Sequence, residues 1–449
     1  MKNIINLLVL FAMITTISCQ NDDAANVVYQ QGTNEFTNQW MYGQMKKYYY
    51  WNETMPGLGD LSLNPKEYFA SLLHTGDRFS YALHPAKAET FPQSMRSRYG
   101  FDISFIEFQG QVYGAVLYTL SGSPAQNYGL QRGDLIKSIN GIIFNRQNYP
   151  GLYSDLVNSE QAMLLTVKYN HELGFTEARQ VNILRGLTFG QPIVSKVIVS
   201  GTNKVGYIQI PHFDIGLAQS LIQVFSGFKS QSVNTIVVDL RYNGGGDVSS
   251  ATALSIILAP NIQADDLFIT FKGNKNGGNI SQSFVQALQM NENNVSFAAL
   301  RAAHPSLRKL YVLCGSHTAS ASEIIINNLK PFMEVIAIGE KTIGKDVAGF
   351  PVEDDRIPGQ QGWTLYPSIY KLFNANNEGN YSGGIDPSIE VDELRDAEIF
   401  ALGDVREVVL NRALNVISGN GRIMQPRTTL VLPGTRCETE PDPLLQINL

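Results

Sequence analysis

The chain has 449 residues, of which 44% are hydrophobic and 16% charged, and its formal net charge is −6. This composition supports packed cores and excludes a largely disordered chain, while the length predicts two or three domains. The sequence pI of about 5.6 shows no basic excess, so nucleic acid is not expected as a partner. The six histidines are scattered, and we expect neither a bound metal nor another cofactor.

The N-terminus has the pattern of an export signal. An apolar run from Ile4 to Ile17 is too short to span a bilayer but fits the core of a signal peptide. The following Ser18-Cys19 resembles a bacterial lipobox, although Thr16 stands where an aliphatic residue is usual. The resemblance implies cleavage before Cys19, lipidation of its sulfur and a membrane anchor in the cell envelope. An ordinary secretory signal with an incidental cysteine is the alternative.

A helical pattern follows the polar tether of residues 20–34. The segment from Trp40 to Trp51 is dense in aromatic residues, and Asn64-Pro65 begins a second amphipathic helix. Aromatic stripes at helical spacing are typical of packing surfaces. We therefore interpret residues 35–97 as a small helical N-terminal module and assign it no chemistry.

Short alternating strands dominate residues 98–184. The stretch from Ser123 to Ile142 contains a helical turn, a glycine turn, a strand and an Asn140-Gly141 hairpin turn, and it resembles a PDZ domain. In that family a loop presents N–H groups to the C-terminal carboxylate of a peptide, which then adds as a strand to the sheet edge. The resemblance implies that Tyr99, Gly100 and Phe101 form this substrate-binding loop. A strand turn without a ligand is the alternative.

From residue 185 to 420 the pattern is α/β. The continuous apolar run in the segment from Thr235 to Arg241 predicts a buried strand, and a helix is predicted from Val248 to Leu258. Two strands end in turns of small residues that open helices: the glycines of Asp239–Gly246 (D-L-R-Y-N-G-G-G) and the turn Thr318–Glu323 (T-A-S-A-S-E). Residues 273–282, rich in glycine and asparagine, are predicted to form a loop. Residues 421–449 carry proline and threonine without periodicity and are predicted to form an extended tail.

Ser320 and Lys345, 25 positions apart, form the candidate catalytic pair. A serine hydroxyl is a weak nucleophile unless a nearby base takes its proton. A buried lysine can act as that base because burial disfavours its charged form. We therefore predict that Ser320 attacks and that Lys345 accepts the proton.

The two small-residue turns are candidates for an oxyanion hole. Consecutive glycines and a helix start both leave backbone N–H groups without partners. We predict that the N–H groups of Gly245, with Gly246 next, and of Ala321 stabilise the developing negative charge. A simple capping box, with Glu323 three residues after Ser320, is the structural alternative for the second turn.

Taken together, these motifs resemble those of the carboxy-terminal processing, or tail-specific, serine peptidases over residues 98 to 395. The resemblance implies a multidomain α/β fold with a helical N-terminal module, a PDZ-like β domain and an α/β peptidase core of the ClpP/crotonase-like kind. It also implies that Ser320 is the nucleophile and Lys345 the base of an acyl-enzyme mechanism.

The sequence departs from that family at positions that orient the lysine. Many relatives have a glutamine four residues after the lysine, where this chain has Gly349, and some have an acidic residue at the position of Pro331. Thr342, Asp346 or a backbone carbonyl is expected to take over that role. A tricorn-like serine–histidine mechanism through His212 remains the alternative, whereas His317 is expected on the approach to the turn.

The sequence therefore predicts an exported, lipid-anchored serine endopeptidase that acts on proteins or peptides with free, unstructured C-termini. The competing interpretation is a non-catalytic peptide-binding lipoprotein that uses the same groove. The oligomeric state stays open.

Overall fold

The computed structural model describes residues 28–91, 94–188, 190–419, 430–432 and 445–446. The predicted signal, Cys19 and most of the tether and of the C-terminal tail lie outside these residues. No helix within the described ranges combines the length and hydropathy that a bilayer crossing needs.

The helices, in chain order, are α1 (Asn34–Tyr48), α2 (Pro65–Ser71), α3 (Met95–Arg98), α4 (Pro124–Asn127), α5 (Tyr149–Asn158), α6 (Leu217–Ser230), α7 (Val248–Leu258), α8 (Phe284–Gln289), α9 (Phe297–Ala302), α10 (Ala321–Asn328) and α11 (Val408–Ile417).

The strands are β1 (Tyr81–Leu83), β2 (Phe101–Phe108), β3 (Gln111–Thr119), β4 (Leu135–Ile139), β5 (Ile142–Ile143), β6 (Gln161–Val167), β7 (Tyr169–Asn170), β8 (Gly174–Phe175), β9 (Arg179–Leu184), β10 (Val194–Ser200), β11 (Asn203–Gln209), β12 (Thr235–Asp239), β13 (Leu267–Lys272), β14 (Asn279–Ser283), β15 (Lys309–Cys314), β16 (Glu334–Gly339), β17 (Val347–Gly349), β18 (Val352–Glu353), β19 (Thr364–Tyr366), β20 (Tyr370–Phe373), β21 (Ile389–Glu390) and β22 (Leu445–Gln446).

The N-terminal segment contains the two predicted helices but is not purely helical. α2 begins as the sequence predicts, since the Asn64 side chain accepts the Lys66 N–H and Pro65 opens the first turn. β1, however, pairs antiparallel with β19, which lies almost 300 positions later in the chain. The hydrophobic cluster formed by α1, α2 and β1 also includes Trp363 and Leu365. This segment therefore packs against the larger body through β1 and this cluster.

An antiparallel sheet with the strand order β2-β3-β4-β6-β9 follows, with β5 paired to β4. The predicted hairpin turn at Asn140-Gly141 is confirmed: both residues have positive φ, 49° and 82°, and β4 pairs with β5 across them. Helix α5 covers one face, where Tyr149 and Tyr153 pack against Phe105 of β2. Strand β2 lies at the end of this sheet.

The α/β body is built on a second sheet with the order β10-β11-β12-β15-β16-β21, parallel from β11 onward. β12, predicted as a buried strand from its continuous apolar run, has four of its five residues buried. α7 spans the predicted range of Val248 to Leu258, and every residue in it is buried. A helix that is buried on all sides lies at the centre of a large core.

A third sheet, β14-β13-β20-β17-β22, corrects one loop prediction. Residues 279–282 of the predicted loop belong to β14, which pairs with β13 as a hairpin. The glycines and asparagines make the turn, where the Asn274 side chain donates to the carbonyls of Lys47 and Tyr49. The polar composition therefore predicted the turn, which anchors the C-terminal end of α1, but it did not predict strand β14.

A buried ionic network joins the two larger sheets. Arg241, directly after β12, donates to Asp239 at 2.7 Å, to Glu393 at 2.9 Å and to Glu407 at 2.8 Å. Arg132, before β4, donates to the same oxygen of Glu393 at 2.5 Å. Both guanidinium groups are almost completely buried, and each buried charge is paired, as a low-polarity interior requires.

We expect the Arg241→Ala substitution to lower the free energy of unfolding by about 3–5 kcal/mol, because it leaves buried carboxylates without their partner. Arg406→Ala is the matched control, since Arg406 is exposed and forms a surface ion pair with Asp404, and we expect its unfolding curve to stay near that of the wild type. Urea denaturation followed by circular dichroism measures both. Equal stability of the two variants would contradict the structural role of the network.

Candidate active site

The candidate residues follow the C-terminal ends of three neighbouring parallel strands, at one edge of the α/β sheet. β12 leads into the glycine turn, β15 leads to Ser320 and β16 leads to Lys345. The first two turns are hydrogen-bonded to each other: the Thr318 hydroxyl donates to the Leu240 carbonyl at 2.8 Å, and the Ala319 N–H donates to the Asn243 carbonyl at 3.2 Å. The carboxyl ends of parallel strands are the usual place for a site in such sheets.

Ser320 occupies a strained backbone position at the start of α10. Its φ is +58° and its ψ is −118°, which a residue with a side chain rarely adopts. Such strain persists only where the surroundings hold it, and it is concentrated at functional sites. The turn is held by the buried Ser322 hydroxyl, which donates to the Asn243 carbonyl at 3.0 Å. The side chain of Ser320 is itself 2% exposed.

Glu323 connects the serine to the lysine. One of its carboxylate oxygens, Oε2, accepts the backbone N–H of Ser320 and the backbone N–H of Lys345, each at 2.8 Å. The other, Oε1, accepts the Gly344 N–H at 2.7 Å and the Thr342 hydroxyl at 2.5 Å. The residues expected to form a catalytic pair are thus brought together by one carboxylate. Its capping-box position was visible in the sequence, but its bonds to the lysine loop were not.

The environment of Glu323 raises the pKa of its carboxyl group. The side chain is completely buried, and burial raises the pKa from 4.5 to about 7, while the hydrogen bonds from Thr342, Ser320, Gly344 and Lys345 act in the opposite direction. Four donors around one group are best satisfied by the ionised carboxylate, since protonation turns one acceptor into a donor.

Lys345 is 3% exposed and borders the N-terminal segment. Its Nζ lies 5.9 Å from the centre of the Phe79 ring, and Arg78 donates to the Ile343 carbonyl at 2.7 Å in the same loop. Phe79 belongs to the N-terminal segment, for which the sequence pattern predicted no chemistry. No pattern in the sequence connects residues 266 positions apart.

Of the residues expected to orient the lysine, Thr342 and Asp346 have other partners. Thr342 donates to Glu323, as described above, and accepts the Ile385 N–H at 2.7 Å. Asp346 is fully buried and pairs with Lys371 at 2.6 Å. Gly349 ends strand β17. Glu323, through the N–H of Lys345, is the group that fixes the lysine backbone.

The oxyanion prediction is corrected at Gly245. Its N–H donates to the Asn243 side chain at 2.8 Å and is therefore already engaged. Gly245 instead permits close approach, because a Cβ there would lie 2.7 Å from the Cβ of Ser320. In the part of the chain described, the N–H groups of Ala321 and Gly246 donate to no other residue.

The two histidines near the turns face other partners. His212 lies beside Gly246 and its Nδ1 is 2.9 Å from the Asp214 carboxylate. His317 is buried against the Tyr242 ring, and its Nε2 lies 3.4 Å from Asp102 of strand β2. Within the described residues neither histidine is hydrogen-bonded to Ser320.

The predicted carboxylate-binding loop, Tyr99 to Phe101, lies at the start of β2, but its first two N–H groups are already engaged. The N–H groups of Tyr99 and Gly100 both donate to the Met95 carbonyl, at 2.7 and 3.0 Å. The side chains of Tyr99 and Phe101 are buried in the core. These N–H groups are therefore not available to a carboxylate, and this corrects the predicted loop. Gly100 is needed because a Cβ would lie 2.2 Å from that of Ser123.

No metal site accompanies this arrangement: the described ranges contain no cluster of histidine, cysteine, aspartate or glutamate side chains arranged to hold an ion. Cys314, at the end of β15, is a buried free thiol, and burial raises its pKa to about 12. Cys19, the predicted lipidation site, lies outside the described residues.

Comparison with known proteins agrees with this geometry. The model of peptidase family S41 matches residues 204–391, which include both turns and the lysine, and the model of the peptidase S41 N-terminal domain matches residues 37–81. The chain belongs to peptidase family S41. The second match covers the segment that carries Phe79, so this N-terminal segment is itself a recurring part of S41 proteins.

Curated relatives of this S41 chain include proteins named for C-terminal processing. It is 27% identical over 209 residues to the tail-specific protease of Haemophilus influenzae, covering 44% of this chain and 26% of the relative. It is 25% identical over 323 residues to a carboxyl-terminal-processing protease of Synechocystis, covering 70% of this chain and 67% of the relative. The chain thus spans between about a quarter and two thirds of the length of these relatives.

Solved structures support the S41 fold over most of the chain. A structure described as an S41 protease from Bacteroides fragilis superposes with a TM-score of 0.68 at 25% identity, covering 85% of this chain and 97% of that one. The photosystem II D1 C-terminal processing protease superposes with a TM-score of 0.51 at 17% identity, covering 86% and 98%. The second likeness shows a shared fold.

We expect Glu323→Gln to lower kcat/KM for an unfolded protein substrate by about 10²-fold. The NH2 group of the glutamine side chain would face two of the N–H or O–H donors that now bond the carboxylate, and this repulsion would displace Ser320 from Lys345. Glu334→Gln, at an exposed position of β16, is the matched control and should retain wild-type activity. A Glu323→Gln enzyme with unchanged kcat/KM would show that the shared carboxylate does not position the pair.

The raised pKa of Glu323 also predicts a stability change with pH. Because its pKa in the folded state, about 7, lies above the ordinary 4.5, its contribution to the free energy of unfolding is fully present below about pH 4.5. That contribution is lost as the pH rises through 7. Urea unfolding between about pH 5 and about pH 8 should therefore show the wild type losing stability relative to Glu323→Gln. A difference independent of pH would contradict this assignment.

Proposed function

We propose that this chain is a serine endopeptidase of the C-terminal processing type, with Ser320 as nucleophile and Lys345 as general base. The observation that carries the proposal is the Glu323 carboxylate, whose Oε2 accepts the N–H groups of both residues. Membership of family S41 and the strained backbone of Ser320 support the same reading. A structural capping box alone would not require a second loop to share the carboxylate.

The proposed reaction proceeds through an acyl-enzyme. Neutral Lys345 takes the proton from the Ser320 hydroxyl as Oγ bonds to the carbonyl carbon of the scissile peptide. The ammonium then gives that proton to the leaving amine as the C–N bond breaks. A water molecule next loses a proton to Lys345 and attacks the ester carbonyl. Cleavage of the ester bond then releases the new carboxyl terminus, and Lys345 returns the proton to the Ser320 Oγ. Activity is expected to fall at low pH, because a charged Lys345 cannot accept a proton.

Backbone donors complete the proposed site. The N–H of Ala321 directly follows the nucleophile, and the N–H of Gly246 takes the second place that Gly245 cannot fill. Fixed donors directed at a developing oxyanion are worth roughly 2.7–4 kcal/mol each in comparable sites.

Substrate selection is proposed for the antiparallel sheet β2-β3-β4-β6-β9, which we interpret as a PDZ-like domain. Strand β2 is an end strand, and α5 lies beside it with the aromatic rings of Tyr149 and Tyr153 next to Phe105. An extended peptide can add to such an edge through backbone hydrogen bonds while its side chains enter the groove. Relatives named for carboxyl-terminal processing support unstructured C-terminal segments as substrates.

Export and lipid anchoring complete the proposal. The apolar run before Ser18-Cys19 supports cleavage of the signal before Cys19 and attachment of the protein to the cell envelope. Incorporation of a labelled fatty acid into the wild type but not into Cys19→Ala would support the anchor. A secreted, unlabelled wild-type protein would contradict it.

A fluorophosphonate probe separates the peptidase from a non-catalytic peptide-binding protein. We expect a covalent adduct on Ser320 in the wild type and in the Ser316→Ala control, four positions before the nucleophile, and none in Ser320→Ala. Intact-mass spectrometry followed by peptide mapping measures the adduct. A folded wild-type protein that forms no adduct would favour the binding protein.

A second pair of variants separates the lysine and histidine mechanisms. We expect Lys345→Ala to lower kcat/KM by about 10³-fold, within the range for loss of a general base, and His212→Ala to retain most of the activity. Exposed Lys341, which pairs with Asp386, gives the control Lys341→Ala. The reverse result, with activity lost only in His212→Ala, would support the serine–histidine mechanism.

A further inference from the structure

The end strand of the PDZ-like sheet is already paired with another part of the same chain. Residues Leu430 to Leu432 lie antiparallel to β2, with a bridge between Ile106 and Val431. The Glu107 N–H donates to the Leu430 carbonyl at 2.9 Å, and the Leu432 N–H donates to the Phe105 carbonyl at 3.1 Å. An unpaired strand edge is a template for strand addition, and here the added strand comes from the C-terminal segment.

The side chains of this segment enter the two apolar surfaces beside β2. Leu432 packs against the core of the PDZ-like sheet, as do Tyr149 and Tyr153 of α5. Leu430 and Val431 pack against a second cluster that contains Ile106. The contact thus has the two components of peptide recognition by strand addition, backbone bonds to the edge and an apolar side chain beside the helix.

A second piece of the C-terminal segment lies next to the catalytic lysine. β22, Leu445–Gln446, adds parallel to β17, with Leu445 opposite Ala348 and Gln446 opposite Gly349. β17 begins two residues after Lys345. The side chains of both Ser320 and Lys345 are nearly inaccessible to solvent, at 2% and 3%.

We propose that the C-terminal segment of this protein is its own internal ligand. Residues 430–432 occupy the β2 edge and the apolar surface covered by α5, and residues 445–446 occupy the edge of β17, so that an incoming C-terminal peptide must displace them. The identity of that competitor rests on the proposed function, whereas the occupied groove does not. A segment tethered to its site acts at an effective concentration of about millimolar, so weak contacts suffice to compete with a free peptide.

Peptide binding to full-length, inactive protein tests this proposal. The probe is a fluorescent peptide with the sequence of residues 427–435, and the protein carries Ser320→Ala. We expect the additional change Leu432→Asp to increase peptide affinity about tenfold, because the released segment no longer competes. Leu173→Asp, at a strand turn where the leucine is 86% exposed, is the matched control and should leave the affinity unchanged. Equal affinity in all three proteins would overturn the proposal.

Hydrogen exchange gives a readout that needs neither the peptide nor catalysis. The Glu107 amide should be protected in the parent protein and in Leu173→Asp, and should exchange faster in Leu432→Asp. Rapid exchange at Glu107 in the parent would overturn the occupied edge. A doubled molar mass that is lost in Leu432→Asp would assign the strand to a second copy, which also overturns an internal ligand.

Proteolysis then separates this proposal from the proposed function. With Ser320 intact, Leu432→Asp should lower KM for an unfolded protein substrate several-fold and change kcat little. Tighter peptide binding without proteolysis in any variant would support the internal ligand and contradict the peptidase. Proteolysis with an unchanged KM would support the peptidase and contradict the internal ligand.

Discussion

The shared carboxylate of Glu323 is the constraint on which the site depends. A buried acid is unfavourable unless its oxygens are fully hydrogen-bonded, and here four donors from two separate loops meet it. Because Oε2 accepts the N–H groups of Ser320 and Lys345 together, neither loop can shift without leaving a buried polar group unpaired. The same bonds hold the serine in its unfavourable backbone conformation, so the cost of that strain is offset at the place where it arises.

The surroundings of this carboxylate come from distant parts of the chain. The N-terminal segment places Phe79 near the lysine and Arg78 on the adjoining carbonyl. On the other side, Arg241 lies between β12 and the glycine turn. Its carboxylate partner Glu393 also binds Arg132, which precedes β4 of the PDZ-like sheet. His317, three residues before Ser320, lies close to Asp102 of β2. The Ser320 turn is therefore in direct contact with the sheet proposed to bind peptides, which gives that sheet a short physical route to the site.

The outer edges of β2 and β17 are both occupied by the chain itself. Residues 430–432 pair with β2, and residues 445–446 pair with the strand that follows Lys345. Open edges expose unpaired backbone groups and promote unwanted association, so covering them has a value independent of regulation. Under the proposed function, an incoming peptide would have to replace this cover. The same strand pairing thus protects the edge of β2 and selects the peptides that can replace residues 430–432.

The sequence by itself determined the α/β body, the α7 boundaries and the Asn140-Gly141 turn, because each depends on local periodicity or on a motif. Its motifs also identified Ser320 and Lys345 as the candidate pair. It did not determine that Gly245 is unavailable as an oxyanion donor, since only the folded chain shows that the Asn243 side chain engages the Gly245 N–H. Nor did it determine the partners of Lys345, the closed loop at Tyr99 and Gly100, or the strand formed by residues 430–432. These depend on contacts between residues tens to hundreds of positions apart, and only tertiary packing decides which donor meets which acceptor.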